Sequence, residues 1–150
     1  MTTDQAPIDP DREPDADPAS PAARGPSPPP KIPVGGIGVS RTSYAAAARL
    51  ICDWAERRES RYVTVTSAHG IVMARSDPRI REVLTAADLV TPDGMPVVWT
   101  MRMSGAAGQR RVYGPTLMLH ACAEAARRGV PVYFYGAVDP TLELLSEKLT

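Results

Sequence analysis

The sequence is poor in the residues that would announce several common activities. Its 150 residues include two cysteines, Cys52 and Cys122, far apart and each within an apolar helical pattern. There is no Cys-x-x-Cys pair and no metal-ligand spacing, so two buried free thiols in a reducing cytoplasm are the expected state. Aromatic residues are sparse, and Phe134 is the single phenylalanine. The basic residues are not interleaved with rings, which argues against a nucleic-acid-binding stripe. No apolar run approaches the length of a transmembrane helix, so any membrane contact is peripheral. The N-terminus lacks the basic start and apolar run of a signal peptide. The formal net charge is zero.

That zero hides an asymmetry. The segment from Met1 to Pro33 holds most of the sixteen prolines, including Pro28-Pro29-Pro30, and almost no large apolar residues. Asp4, Asp9, Asp11, Glu13, Asp15 and Asp17 outweigh Arg12, Arg24 and Lys31 there. Such a segment cannot bury enough apolar surface to offset its ordering entropy, so residues 1–33 are expected to be a disordered tail and 34–150 a single domain. Three arginine pairs stand out beyond it: Arg57-Arg58, Arg110-Arg111 and Arg127-Arg128. The first and third read as solvated helix ends.

Periodicity organises the remainder. Ile32–Val39 suits a first strand. Its glycines fit neither a Walker loop, which needs a following Gly-Lys-Ser/Thr, nor a dinucleotide fingerprint, since Arg41 stands where the third glycine belongs. They read instead as a flexible entry. Ser40–Arg58 is helical, capped by Thr42 or Ser43, with Tyr44, Ala47, Ala48, Ile51, Trp54 and Ala55 on one apolar face. Arg61–Thr66 is a strand, and Ala68–Arg75 a short helix or turn. Asp77-Pro78 is an N-cap with proline at the first helical position. Leu89-Val90 is a short strand broken by Pro92-Asp93-Gly94. Pro96–Met103 is apolar almost all round, as in a buried helix. Pro115–Arg128 is a helix with Gly129 as its C-cap. Val130–Tyr135 reads as a strand, and Asp139-Pro140 opens a last helix. Strands alternating with helices imply an α/β fold built on a parallel sheet, with helices on both faces. The chain stops inside or just after a helix, so the fold is expected to be incomplete at its C-terminus.

In open α/β sheets ligands bind beyond the carboxyl ends of the strands. Two such ends carry polar groups: Thr64 and Thr66 with Ser67-Ala68-His69-Gly70, and Thr91-Pro92-Asp93-Gly94. A carboxylate between proline and glycine is often a turn former. In a crevice it can also act as a general base. Thr64 and Thr66 serve either cross-strand packing or hydrogen bonds to a polar substrate. His69 is a weaker base candidate, since a lone histidine in a turn is more often structural. Arg110 and Arg111 have the planar fork that suits phosphate oxygens. Gly136 would allow a nucleotide close to the backbone.

The pieces VTVTSAHGIVMARSDP, ADLVTPDGMPVVW, RVYGPTLM and VYFYGA occur in this order, and together they resemble the WecG/TagA/CpsF family of bacterial glycosyltransferases over about Ile32 to Thr150. The resemblance implies a Rossmann-like α/β domain. It implies transfer of an N-acetylmannosamine or related sugar from a UDP-sugar donor to a polyprenyl-diphosphate-linked acceptor, with inversion, at the cytoplasmic face of the membrane. In that reading Asp93 is the catalytic base and Arg111 meets diphosphate. Thr64, Thr66, His69, Gly94, Gly114, Thr116 and Gly136 complete the substrate-binding set, with no metal and no other cofactor. A full-length form is expected to touch the membrane peripherally, and a homo-oligomer is left open. The chain departs from the family pattern at Thr116, where aspartate is usual, and at Ala137, where a second glycine is frequent. A non-catalytic module that binds a nucleotide-sugar or a partner is the alternative. From the tail's composition, deleting Met1 to Pro30 should leave the thermal unfolding midpoint nearly unchanged; a large drop would show that the tail packs on the domain.

Overall fold

Two adjacent glycines set how the chain enters the fold. In the computed structural model, which describes residues 27–136 and 139–149, Gly35 and Gly36 adopt φ of +56° and +90°. Positive φ at both central positions belongs to the two-residue turn whose twist matches a β-hairpin, and glycine takes it without a Cβ clash. The turn joins β1 (Lys31–Val34) to β2 (Ile37–Ser40), antiparallel, with Lys31 opposite Ser40 and Val34 opposite Ile37. The single strand expected over Ile32–Val39 is thus two strands, and its glycines form a tight turn rather than a flexible entry. β1 begins at Lys31, within the span assigned to the tail, and the Pro30 carbonyl accepts from the Arg41 amide at 2.9 Å. The tail assignment up to residue 26 lies outside the described residues.

The helix signals act where their side chains predict. α1 (Tyr44–Glu56) starts at Ser43, whose Oγ accepts from the Ala46 amide at 3.2 Å. β3 (Val63–Thr66) passes through Ser67, the N-cap of α2 (Ala68–Ser76). Asp77 caps α3 (Pro78–Ala86), its Oδ1 accepting from the Arg79 amide at 2.8 Å, with Pro78 at the first position. β4 (Leu89–Pro92) leads into α4 (Met95–Met103). α5 (Gly114–Arg128) closes on Gly129 at φ +69°, and α6 (Asp139–Leu149) follows.

All four residues of β4 are buried. Successive strand residues face opposite ways, and β4 accordingly joins two apolar clusters. Leu89 packs with Tyr44, Ala47, Leu50, Trp54, Val112 and Leu117. Val90 packs with Ile37, Val39, Ile71, Leu84, Val97 and Met101.

The Rossmann-like parallel sheet does not form. Among the described residues there are two two-stranded sheets, β1–β2 antiparallel and β3–β4 parallel. β2 packs beside β4 and is joined to it through a side chain: Ser40 Oγ accepts from the Val90 amide at 3.0 Å. The Val130–Tyr135 stretch, expected to be a strand, has no regular structure, and Tyr133 and Tyr135 are 87% and 94% exposed. β-branched and aromatic residues favour a pleated surface only when a neighbouring strand and a buried face are supplied. α4 is half-buried rather than core all round: Val97, Val98 and Met101 point inward, while Trp99 and Met103 stand out.

α1 and α5 are tied by charge as well as packing. Arg128, expected at a solvated helix end, donates to Asp53 of α1 at 2.5 Å and ion-pairs with Glu124 at 2.7 Å. Arg127 and Arg128 together hold the Glu124 carboxyl down to about 2.

A Cβ on Gly35 would lie 2.5 Å from Ile71 Cγ2, whereas one on Gly36 would meet nothing within 4 Å. Gly36→Ala should cost about 1–2 kcal/mol from the left-handed backbone alone. Gly35→Ala should cost about 1–3 kcal/mol more through overpacking. Urea denaturation of both variants checks this ordering; equal losses would show that Ile71 moves aside freely.

Candidate functional site

Parallel pairing brings the carboxyl ends of β3 and β4 to the same edge, with Thr66 opposite Pro92. The Asp93 amide donates to the Thr66 carbonyl at 3.0 Å and so extends the pairing one residue past β4. Gly94 then takes φ +95°, a turn that an L side chain would strain, and directs the chain into α4. No side chain caps α4 or α5 at the N-terminus, so their first amides are not met by a local side-chain acceptor.

The segment before α5 lies along the end of β4, because the Val112 amide donates to the Pro92 carbonyl at 2.8 Å. This puts Arg111 beside Asp93. Arg111 Nε donates to Asp93 Oδ1 at 2.9 Å, in an ion pair whose side chains are 33% and 18% exposed. The Arg111 guanidinium also lies over the Tyr113 ring, 4.5 Å from its centroid. A cation over an aromatic face is attracted by the ring quadrupole. Asp93 and Arg111 are distant in sequence and meet only because the Val112–Pro92 bond brings the two loops together.

The other expected site residues are distributed around this pair. Thr66 is buried at 2% exposure and Thr64 is half-buried, with their hydroxyls 3.5 Å apart. The Thr91 hydroxyl donates to the Thr64 carbonyl at 3.4 Å. Gly114 opens α5 against Val65: a Cβ there would sit 3.4 Å from both Val65 methyls. Val65 alternates with Thr64 and Thr66, so α5 approaches the strand face opposite the threonine side chains. Thr116 is in the first turn of α5 and is half-buried. His69 is the second residue of α2 and is exposed. Gly136 has φ +113°, which suits glycine, but nothing lies within 4 Å of where its Cβ would be. The structure therefore brings Thr66, Asp93, Gly94 and Arg111 together at one strand edge, and among the described residues His69 and Gly136 make no hydrogen bond or ion pair to them.

Residues 32–150 match the sequence profile described as the Glycosyl transferase WecG/TagA/CpsF family. The chain belongs to that family. Over 76 residues it is also 36% identical to an N-acetylglucosaminyldiphosphoundecaprenol N-acetyl-beta-D-mannosaminyltransferase of Bacillus spizizenii. That match covers 51% of this chain and 30% of the relative, so the chain spans well under half the length of the enzyme it matches.

Within this member of the family, three residues that sequence patterns left out or assigned to packing shape the candidate site. Gln109 is 3% exposed in the loop before Arg111. Its Oε1 accepts from the Thr42 amide at 3.2 Å, and its Nε2 donates to the carbonyls of Thr42 and Arg110, both at 2.7 Å. Tyr44, expected as core, is buried, yet its hydroxyl accepts from the Tyr113 amide at 2.9 Å. Tyr113 supplies the ring under Arg111. A polar tip on an otherwise apolar helix stripe was the one available sequence signal, at Tyr44. Among the described residues no group of three or more His, Cys, Asp or Glu could hold a metal ion, and no helix is long and apolar enough to cross a membrane. Cys52 is buried and Cys122 half-buried, and burial pushes both thiols up, which favours the unreactive protonated form.

Gln109→Glu tests the pinning of this loop. The side chain keeps its size, but an acceptor replaces the Nε2 donor against two carbonyls. The change should destabilise the fold by about 1–3 kcal/mol, seen as a lower denaturation midpoint at neutral pH. A midpoint equal to the parent's would show that Gln109 does not hold the loop.

Proposed function

We propose that this chain is part of a glycosyltransferase that moves an N-acetylmannosamine-type sugar from a UDP-sugar to a polyprenyl-diphosphate-linked acceptor. The setting is cell-surface polysaccharide biosynthesis, in the cytoplasm and peripherally at the inner face of the plasma membrane. The observation that carries the reading is the Asp93–Arg111 pair at the carboxyl edge of a parallel strand pair. One group is suited to accept a proton and its neighbour to hold phosphate, in a chain of this family. The activity for which the Bacillus spizizenii relative is named supplies the sugar and acceptor class.

In this mechanism Asp93 takes the proton of the acceptor hydroxyl as that oxygen attacks the anomeric carbon from the face opposite UDP. The new glycosidic C–O bond forms, the anomeric C–O bond to the diphosphate breaks, and UDP leaves with the electron pair. Configuration inverts. Arg111 and the first amides of α4 and α5 are the donors suited to the diphosphate charge. Thr64, Thr66, His69, Gly94, Gly114, Thr116 and Gly136 are the further substrate contacts of the proposal.

One observation favours a second reading. Arg111 occupies Asp93 Oδ1, as it would a purely structural carboxylate, and that suits a module that binds a nucleotide-sugar without turnover. A single substitution separates the two. Asp93→Asn retains size and turn-forming ability. Assayed in the longest natural form of the protein, it should bind UDP-sugar almost as the parent does and lose about 10²–10⁴-fold in turnover. Transfer at the parent rate would remove the general-base role, and unfolding would make Asp93 a turn residue. Arg111→Ala should weaken UDP binding by about 1.5–3 kcal/mol, with Arg110→Ala much milder. The reverse order would exclude Arg111 as the phosphate ligand.

A further inference from the structure

The ring of Tyr44 is packed like any core aromatic, at 3% exposure and stacked on His120 with centroids 5.0 Å apart and planes 12° apart. Packing alone does not call for its hydroxyl. That hydroxyl reaches out of the α1–α5 layer and accepts from the amide of Tyr113 at 2.9 Å. Tyr113 is the residue immediately before α5, and its side chain is the platform 4.5 Å beneath the Arg111 guanidinium. Arg111 in turn reaches Asp93.

We propose that Tyr44 is a positioning residue for the phosphate-binding corner of the site. Its hydroxyl fixes the backbone of Tyr113; that backbone aims the Tyr113 ring, and the ring orients the guanidinium. The geometry suits this role because the bond is made to a backbone amide. It constrains the main chain at the one residue that belongs to both the Arg111 platform and the start of the helix. Tyr44 need not touch the substrate to do so. The inference rests on the proposed assignment of Arg111 to a diphosphate.

The test is UDP affinity, measured by titration calorimetry on the parent, Tyr44→Phe, Tyr113→Leu, Arg111→Ala and the Tyr44→Phe/Arg111→Ala double variant. Tyr44→Phe deletes the acceptor and leaves the ring stack on His120. It should weaken UDP binding about three- to tenfold, the worth of one hydrogen bond. Tyr113→Leu, a change at an exposed side chain, should produce a loss of similar size. In the Arg111→Ala background Tyr44→Phe should have no further effect, because a residue that acts through the guanidinium has nothing left to position. A merely structural tyrosine would give the same loss in both backgrounds, and that result overturns the proposal. If Tyr44→Phe fails to fold, Tyr113→Leu decides: unchanged affinity overturns the proposal and the expected loss upholds it. The two levels of the argument fail differently. A parent that does not bind UDP removes the Arg111 assignment and this inference together. A parent that binds, weakened by Arg111→Ala but indifferent to Tyr44→Phe, removes this inference alone.

Discussion

A strand buried on both faces imposes the strictest constraint in this fold. β4 has no water available for its backbone groups, and each buried donor or acceptor left unpaired would cost free energy comparable to a lost hydrogen bond. β3 satisfies one edge through the parallel ladder. On the β2 side, the Ser40 hydroxyl takes the Val90 amide. At the carboxyl end, Pro92 offers its carbonyl to Val112, and the next residue, Asp93, sends its amide to Thr66. These last two bonds build the site. The requirement to finish β4 brings the Arg111 loop to the Asp93 turn, so their meeting follows from backbone satisfaction before any chemistry is considered.

Local signals in the sequence translated well because they are decided by a few covalent neighbours. Ser43, Asp77-Pro78 and Gly129 act as the caps their side chains or backbone freedom allow. The Pro92-Asp93-Gly94 break stands at the end of a buried strand. The sheet was not legible, since it depends on which strands find partners. Gly35-Gly36 reads as looseness in isolation, and only the facing of Val34 on Ile37 reveals a tight hairpin. Val130–Tyr135 has strand composition but no ladder partner among the described residues. Within the site, motif resemblance singled out Asp93 and Arg111 but not their contact. It could not find Gln109, whose importance lies in three bonds to the main chain.

The Asp93–Arg111 contact carries a tension that bears on how such a site would operate. In the proposed reaction, the cation that would meet a diphosphate also occupies an oxygen of the carboxylate that would take the proton. Both side chains retain some solvent access, and both belong to loops rather than helices or strands. A polyanion arriving at this corner would compete with Asp93 for the guanidinium. Tyr113 contributes an uncharged surface for Arg111, and the cation–π contact limits its orientation.

The contrast between the two sheets also has a consequence in time. The β1–β2 hairpin closes through two glycines, whereas β3 must wait for α2 and α3 to be traversed before β4 can pair with it. Hairpins of that kind form in about 1–10 μs, and pairings across longer chain separations are slower because loop closure must come first. The hairpin can therefore exist early, presenting Val34, Ile37 and Val39 while the strand they will cover is still being recruited. Rapid local closure of this sort gives the later, non-local parallel pair a preformed apolar surface on which to assemble, and the strand edge that carries Asp93 forms only with that later pair.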